Sequence, residues 1–373
     1  MSFLKLKNKE EIRKVLIIRY RRVGDSILAL SLCHTLRQNF PEAEIDYVLD
    51  ENIAPLYWNH PDIDNLILFS HKEKHSLLKY LRKVWKVTHA KHYDVIIDLR
   101  STIQTLWFSL FSLGTPYRIG RKKSYNAFLQ NYRLNITKNV DMVQQNLQLL
   151  SPLNKIKPIE LNSSFRMYVS DEEKQSFRQY MAKQGVDFSK PVILVAVATR
   201  IVGKGWNTKR MAQVLSRIVE KYDAQLIFNF GNDYERRIAE AVKEDMGNDP
   251  RVFTTVEAHN LRELLQMVAN CNFFFGNEGG PRHLAHALDV PSFAIFPPHI
   301  DKTTWLPQND GHHQGISLDD VGAREKVTDN MSITEQFDLL TVDDVWTHAD
   351  KMLSEYLRAH RLKSCMAELI CRR

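Results

Sequence analysis

The sequence predicts an α/β protein built from two doubly wound domains. Three observations carry this expectation. Short, continuous apolar runs rich in Val, Ile and Phe alternate with helical patterns. The alternation runs twice, with a break around residues 150–165. At 373 residues the chain is also longer than one typical hydrophobic core requires. Apolar strands separated by helices imply parallel sheets covered on both faces. Two such series imply two facing domains, with ligands bound beyond the carboxyl ends of strands, where the strand order switches.

In the first series VLIIR (15–19) reads as a strand, followed by a helix over about 26–39. Next come IDYVL (45–49), NLILF (65–69), a basic amphipathic stretch (71–90) and YDVIIDL (93–99). The second series opens with PVILVAV (191–197) and a helix near 208–221. It continues with AQLIFNF (224–230), another helix, CNFFF (271–275), a short helix and SFAIF (292–296). The expected domains are 1–170 and 171–341, with a terminal segment 342–373, mostly helix, that packs back on the first domain.

Hydrophobic residues at 44% and charged residues at 25% are those of an ordinary soluble globular protein. A net charge of +7 and a pI near 9.0 suit anionic partners, although a solvated positive face is the first reading of both. A nucleic-acid role would rest on charge alone, since no recognised module or aromatic interleaving accompanies it. The four cysteines, Cys33, Cys271, Cys365 and Cys371, form no CxxC pair, which argues against a disulfide framework or structural zinc. MSFLKLKNKEEIRK has no apolar core of a secretory signal, and no run approaches a membrane span, so a cytoplasmic location is expected.

Three strand-to-helix junctions carry chemistry. RYRRVGDSILALS (19–31) places Gly24 and Asp25 between the first strand and its helix. Locally, Asp25 or Ser26 reads as an N-cap and Gly24 as a permissive turn residue. The functional alternative is Asp25 as a general base. No GxGxxG is present, so a dinucleotide-dependent dehydrogenase is not expected. ATRIVGKGWNTKR (198–210) offers Thr199, Arg200, Lys204 and Lys209 beside Gly203 and Gly205. It is not a Walker A loop, but lysine as a point charge suits phosphate. FFFGNEGGPRHLAHALDVPSFAIF (273–296) crowds Glu278, Gly279, Gly280, Pro281 and His283 into one junction. Pro281 fits a first helical position, and a helix start with exposed amides attracts anions. Glu278 suits sugar or ribose hydroxyls better than phosphate.

Together these junctions resemble glycosyltransferase family 9, the bacterial heptosyltransferases of lipopolysaccharide core assembly. VLIIRYRRVGDSILALSLCHTLRQNFPEAEIDYV, HPDIDNLILF, YDVIIDL and YRIGRKK resemble the family's N-terminal landmarks. GNEGGPRHLAHALDVPSFAIFPP resembles its donor-site signature, with Trp305 and Pro307 downstream. The resemblance implies a GT-B fold of two Rossmann-like domains, an N-terminal acceptor domain and a C-terminal nucleotide-sugar domain. It implies inverting transfer without metal or further cofactor, with ADP-heptose the default donor. Asp25 then matches the catalytic base. Lys204, with Thr199 beside it, matches the group that holds the donor phosphates. Gly279, Gly280 and His283 match the helix start that binds pyrophosphate, and Glu278 would face sugar or ribose. The acceptor would be an anionic glycolipid of the lipid A–core type, its phosphates met by Arg118, Arg121 and Lys122. This chain departs from the family in Glu278 and Gly279, where Asp followed by Ser or Thr is common. Its lysine loop is also one residue longer. Both departures sit in the donor half, so another nucleotide sugar, a sugar-nucleotide epimerase and a binder without catalysis stand as alternatives.

Two further signals read as structural. PDID (61–64) contains a DxD that follows a proline and precedes a strand, which suits a turn better than a metal site. Asp98 ends a strand without an evident partner. The stretch 71–92 puts Leu78, Leu81 and Trp85 on one helical side among lysines. That pattern reads as a domain helix with a basic face, or as a contact with the anionic inner leaflet.

Overall fold

The computed structural model describes residues 11–20, 22–201, 203–307 and 311–371, with side chains described as far as Leu357. The first ten residues of the segment read for a signal, and the side chains of Cys365 and Cys371, lie outside it. The chain divides into two compact units, Met1–Tyr168 and Val169–Arg373, a division two residues before the expected one. Each holds a six-stranded sheet whose pairings are all parallel.

In the first unit the strands are β1 (Lys14–Ile18), β2 (Glu44–Asp50), β3 (Asn65–Phe69), β4 (Val95–Asp98), β5 (Tyr117–Arg121) and β6 (Tyr132–Leu134), ordered β3-β2-β1-β4-β5-β6. The second unit has β7 (Val192–Ala196), β8 (Gln225–Phe228), β9 (Val252–Phe253), β10 (Phe273–Asn277), β11 (Ser292–Ile295) and β12 (His313–Ile316). Their order, β12-β11-β10-β7-β8-β9, is the same winding read from the other side. In both units the order reverses next to the first strand, between β1 and β4 and between β7 and β10. Doubly wound sheets open a crevice for ligands at that reversal.

Burial on both faces explains why the central strands are uniformly apolar. Val15–Ile18 and Phe273–Phe275 are all 0% exposed. Each such side chain contributes about 1.5–3 kcal/mol of transfer free energy. The helix Thr208–Tyr222 adds Met211, Val214, Leu215 and Ile218 from one stripe, and Phe275 stacks on Phe293 at 6.0 Å. The helix expected over 26–39 is two, Val23–Leu28 and Leu30–Asn39, joined at Ala29.

One expectation changes. The last helix, Val342–Cys371, lends Val345, Ala349, Met352, Leu353 and Leu357 to the C-terminal core. Over its described side chains it therefore departs from the expectation that it packs back on the N-terminal domain. The basic stretch forms the helix Leu77–Ala90, which buries Tyr80, Val84 and Thr88 and leaves Leu78 and Trp85 82% and 52% exposed. Among the described residues no helix is long and apolar enough to cross a membrane.

Candidate functional site

At the β1/β4 reversal the chain leaves β1 through Arg19 and turns at Arg22, whose φ of 69° is left-handed. The helix begins at Val23, so Gly24 and Asp25 lie inside its first turn and no side chain caps it. This overturns the capping reading: the strained residue is Arg22, and the Asp25 carboxylate, 8% exposed, pairs instead with the Arg19 guanidinium. Two tyrosines fix the turn from below. Tyr57 Oη donates to Ser26 Oγ at 2.6 Å and Tyr47 Oη to the Ser26 carbonyl at 3.0 Å.

Arg121, at the end of β5, belongs to the same electrostatic group. Burial and then the Arg19 charge hold its guanidinium below its usual range, while Asp25 acts the other way. Nε of Arg19 and Nε of Arg121 are buried without a hydrogen-bond partner among the described residues. A polar network under Arg121 sets its backbone. Its N–H donates to Ser101 Oγ at 2.9 Å, and Asp98 accepts from the N–H groups of Arg100 and Ser101. Burial pushes the Asp98 carboxyl up. Gly120 leaves room for this network, since a Cβ would stand 2.3 Å from Gln130 Oε1 and push that side chain aside.

Arg118 leaves the expected acceptor group. It is buried, and its guanidinium donates to the carbonyls of Leu113, Thr115 and Leu129, clamping the loops beside β5. Lys122 is exposed just past the strand. The PDID segment is a turn: Asp62 pairs with His34 and Asp64 accepts from Arg37 and the Ile45 N–H.

At the β7/β10 reversal one side chain joins the two expected junctions. Asn277, buried at the end of β10, donates to the carbonyls of Ala196 and Val197 and accepts from the Trp206 N–H at 2.8 Å. It thereby holds the lysine loop against the glycine junction. Thr199 Oγ1 donates to the Ile201 carbonyl and shapes the loop from within. Gly276, with φ 132°, is the glycine the packing demands: a Cβ would lie 2.5 Å from the Ala196 carbonyl oxygen. Gly279, in extended backbone, has only Pro281 Cδ at 3.9 Å from its ideal Cβ, so the fold alone does not require glycine there.

The helix Gly280–Ala287 starts beside a buried charge cluster. Glu278 Oε1 lies 3.2 Å from His283 Nε2 and 3.7 Å from Arg282 Nη2. Burial opposes ionisation of Glu278, but His283, Arg282 and Lys204 outweigh it and hold its carboxyl below the usual carboxylate range. Arg282 is 0% exposed, and burial pushes its guanidinium down to about 10 against the pull of Glu278. Its Nη2 donates to the Trp305 carbonyl at 2.6 Å, while Nε and Nη1 have no partner among the described residues. The structure thus brings Lys204, Glu278 and His283 together and adds Arg282, which the sequence reading missed. An arginine one residue before the histidine was the available signal, but a charged residue in a first turn reads as solvated. Two cationic side chains and a histidine around one carboxylate at a helix start suit a ligand carrying both anionic oxygens and hydroxyls.

The chain matches glycosyltransferase family 9 (heptosyltransferase) over residues 81–330. It is 25% identical over 290 residues to lipopolysaccharide heptosyltransferase 1 of Campylobacter coli, covering 76% of this chain and 83% of that protein. The crystal structure of a glycosyl transferase family 9 protein from Veillonella parvula DSM 2008 shares its fold, with a TM-score of 0.78 at 18% identity over 93% of this chain and 99% of that one. E. coli heptosyltransferase WaaC with ADP-2-deoxy-2-fluoro heptose superposes with a TM-score of 0.67 at 15% identity, over 91% of this chain and 99% of that one.

Proposed function

From the premise that the chain belongs to glycosyltransferase family 9, we propose that it transfers heptose from ADP-heptose to an anionic glycolipid of the lipid A–core type, inverting the anomeric centre without a metal. The observation that carries this reading is the Lys204, Glu278, Arg282 and His283 cluster at the β7/β10 reversal. The C-terminal domain takes the donor and the N-terminal domain the acceptor. Lys204, His283 and the N–H groups at Gly279 and Gly280 hold the diphosphate, with Thr199 shaping the loop and Glu278 accepting from sugar or ribose hydroxyls. Asp25 takes the proton of the acceptor hydroxyl as that oxygen attacks the anomeric carbon. The bond to the diphosphate breaks, and the cationic cluster stabilises the charge that develops on the leaving group. Arg121 and Lys122 meet acceptor phosphates, and Arg19 positions Asp25. Leu78 and Trp85, exposed on a helix that also carries Lys79, Arg82 and Lys86, support peripheral contact with an anionic inner leaflet.

A second reading, another nucleotide sugar, is favoured by Glu278 itself, whose carboxylate is engaged by Arg282 and His283. The deciding assay supplies ADP-heptose and a heptose-free core acceptor, with ADP release and product anomeric configuration as readouts. An inverted heptoside formed in excess EDTA supports the proposal. Transfer from a different nucleotide sugar alone replaces the donor, and retention of configuration removes the single-displacement role of Asp25.

A further inference from the structure

The edge of the C-terminal sheet away from the β7/β10 crevice gathers three histidines and an aspartate. The helix Gly280–Ala287 runs back along the sheet for about 12 Å. His286 in its last turn and Asp289 just beyond it therefore lie at the amino ends of β11 and β12. There Ser292, which opens β11, is paired in register with His313, which opens β12. Asp289 adopts φ 59°, and the left-handed turn brings its carboxylate to the histidines. His312 Nε2 is 3.3 Å from Asp289 Oδ1, and His313 Nε2 is 4.0 Å from the same oxygen.

We propose that Asp289, His312 and His313 form a binding site for a divalent cation of the zinc class, with a fourth position open to water. One ligand atom from each residue lies within 4.8 Å of the other two. Imidazole and carboxylate together suit borderline metals such as zinc. Bonds of about 2.0–2.1 Å in a tetrahedral site place ligand atoms roughly 3.4 Å apart. One edge already has that length, and the 4.0 Å edge to His313 closes by rotation of a carboxylate that is 65% exposed. The edge between the imidazoles closes by a tilt of the half-buried His312 ring toward the buried one. An independent feature is the support behind the ligands. Ser292 Oγ lies 2.9 Å from His313 Nδ1, which leaves Nε2 of that ring to face the carboxylate. His286 stacks on His313 with centroids 3.7 Å apart, and Tyr356 packs edge-on against His312 at 5.1 Å. The His313 ring is thus fixed before any cation arrives, and the His312 ring is backed on one side. His312 Nε2 also faces the Asp289 carbonyl at 2.9 Å. A cation bound through this nitrogen replaces that hydrogen bond, and the neutral ring then carries its single proton on Nδ1. Asp289 is exposed, His312 half-buried and His313 buried, so the cation enters from solvent and seats on the inner ring. The site lies a helix length from the crevice, so its role is to tie the turn after that helix to β12.

The test uses the untagged full chain, stripped with a chelator, dialysed, and titrated with Zn²⁺ by calorimetry and with Co²⁺ by visible absorption. The expected result is one equivalent bound, the visible bands of four-coordinate Co²⁺, their loss on adding Zn²⁺, and a Zn²⁺-dependent rise in Tm. Asp289→Asn keeps the side-chain shape and tolerates a left-handed φ. That variant and His312→Ala should each weaken Zn²⁺ binding at least about 10-fold and abolish the Tm rise, with native circular dichroism as the folding control. No stoichiometric Zn²⁺ binding by the native chain would overturn the proposal. So would equal affinity in both variants, which would place the cation elsewhere.

Discussion

Asp25 and Glu278 are both carboxylates set against arginine, yet their surroundings differ. Asp25 is ion-paired with Arg19, has Arg121 in the same electrostatic group, and keeps 8% exposure, through which the proposed role has it meet a substrate hydroxyl. Replacing it with Asn should lower kcat by about 10²–10⁴ while leaving nucleotide affinity unchanged; calorimetry beside turnover separates the two. Glu278 is the counter-charge of a fully buried arginine. Glu278→Gln should therefore cost about 3–5 kcal/mol in urea unfolding, because Arg282 is left as an uncompensated buried charge. The expected signature is lost donor binding together with lost stability. His283→Ala, which keeps the Glu278–Arg282 pair, should weaken donor affinity and turnover with a smaller stability loss.

At the scale of elements, two contacts make the C-terminal domain what it is. Gly276→Ala drives a methyl group into the Ala196 backbone at a φ of 132°, so β7 and β10 have to separate. Chemical denaturation should show a loss of about 2 kcal/mol or more. Glu173 caps the helix Asp171–Lys183 and pairs through both oxygens with Arg262, at 2.7 and 2.6 Å. The Arg262 bond, outweighing burial, lowers its carboxyl to about 2. A folded value below the unfolded one means stability that is complete above about pH 4.5 and lost as pH falls toward 2. After allowance for partial exposure the pair is worth about 2 kcal/mol at neutral pH. Glu173→Gln should remove that amount and flatten the acid limb of the stability profile.

The central strands were legible in the sequence because burial on both faces leaves unbroken apolar runs, as in Val15–Ile18 and Phe273–Phe275. β6 and β9, of three and two residues, carry too little pattern to read, and β12 opens on a histidine. The junctions at Asp25, Lys204 and Glu278 were legible as strand ends of a doubly wound fold, the places where such sheets bind ligands. Their partners were not. Arg19 and Arg282 act through burial, and burial of an arginine leaves no local trace in sequence. Arg118 failed for the same reason in reverse: a basic cluster reads as a surface, whereas this guanidinium is spent on three carbonyls.

For the whole molecule, family membership settles the class of enzyme and the two sheets settle the architecture. Donor, stereochemistry and membrane contact rest on the proposal. If Leu78 and Trp85 seat on lipid, the protein should sediment with phosphatidylglycerol vesicles at low salt and release at high salt. Leu78→Ser with Trp85→Ser should abolish that binding while leaving thermal stability intact; binding unchanged in the double variant would remove this surface from the account. The central claim, a nucleotide-sugar site built on Lys204 and the Gly280 helix, is tested most directly by calorimetry with ADP, UDP, GDP and CMP, on the native protein and on Lys204→Ala. The account requires selective ADP binding that weakens at least about 10-fold in the variant, the loss of a charge-assisted phosphate contact. ADP binding that is equal in both proteins, or no binding of any nucleotide, would contradict it.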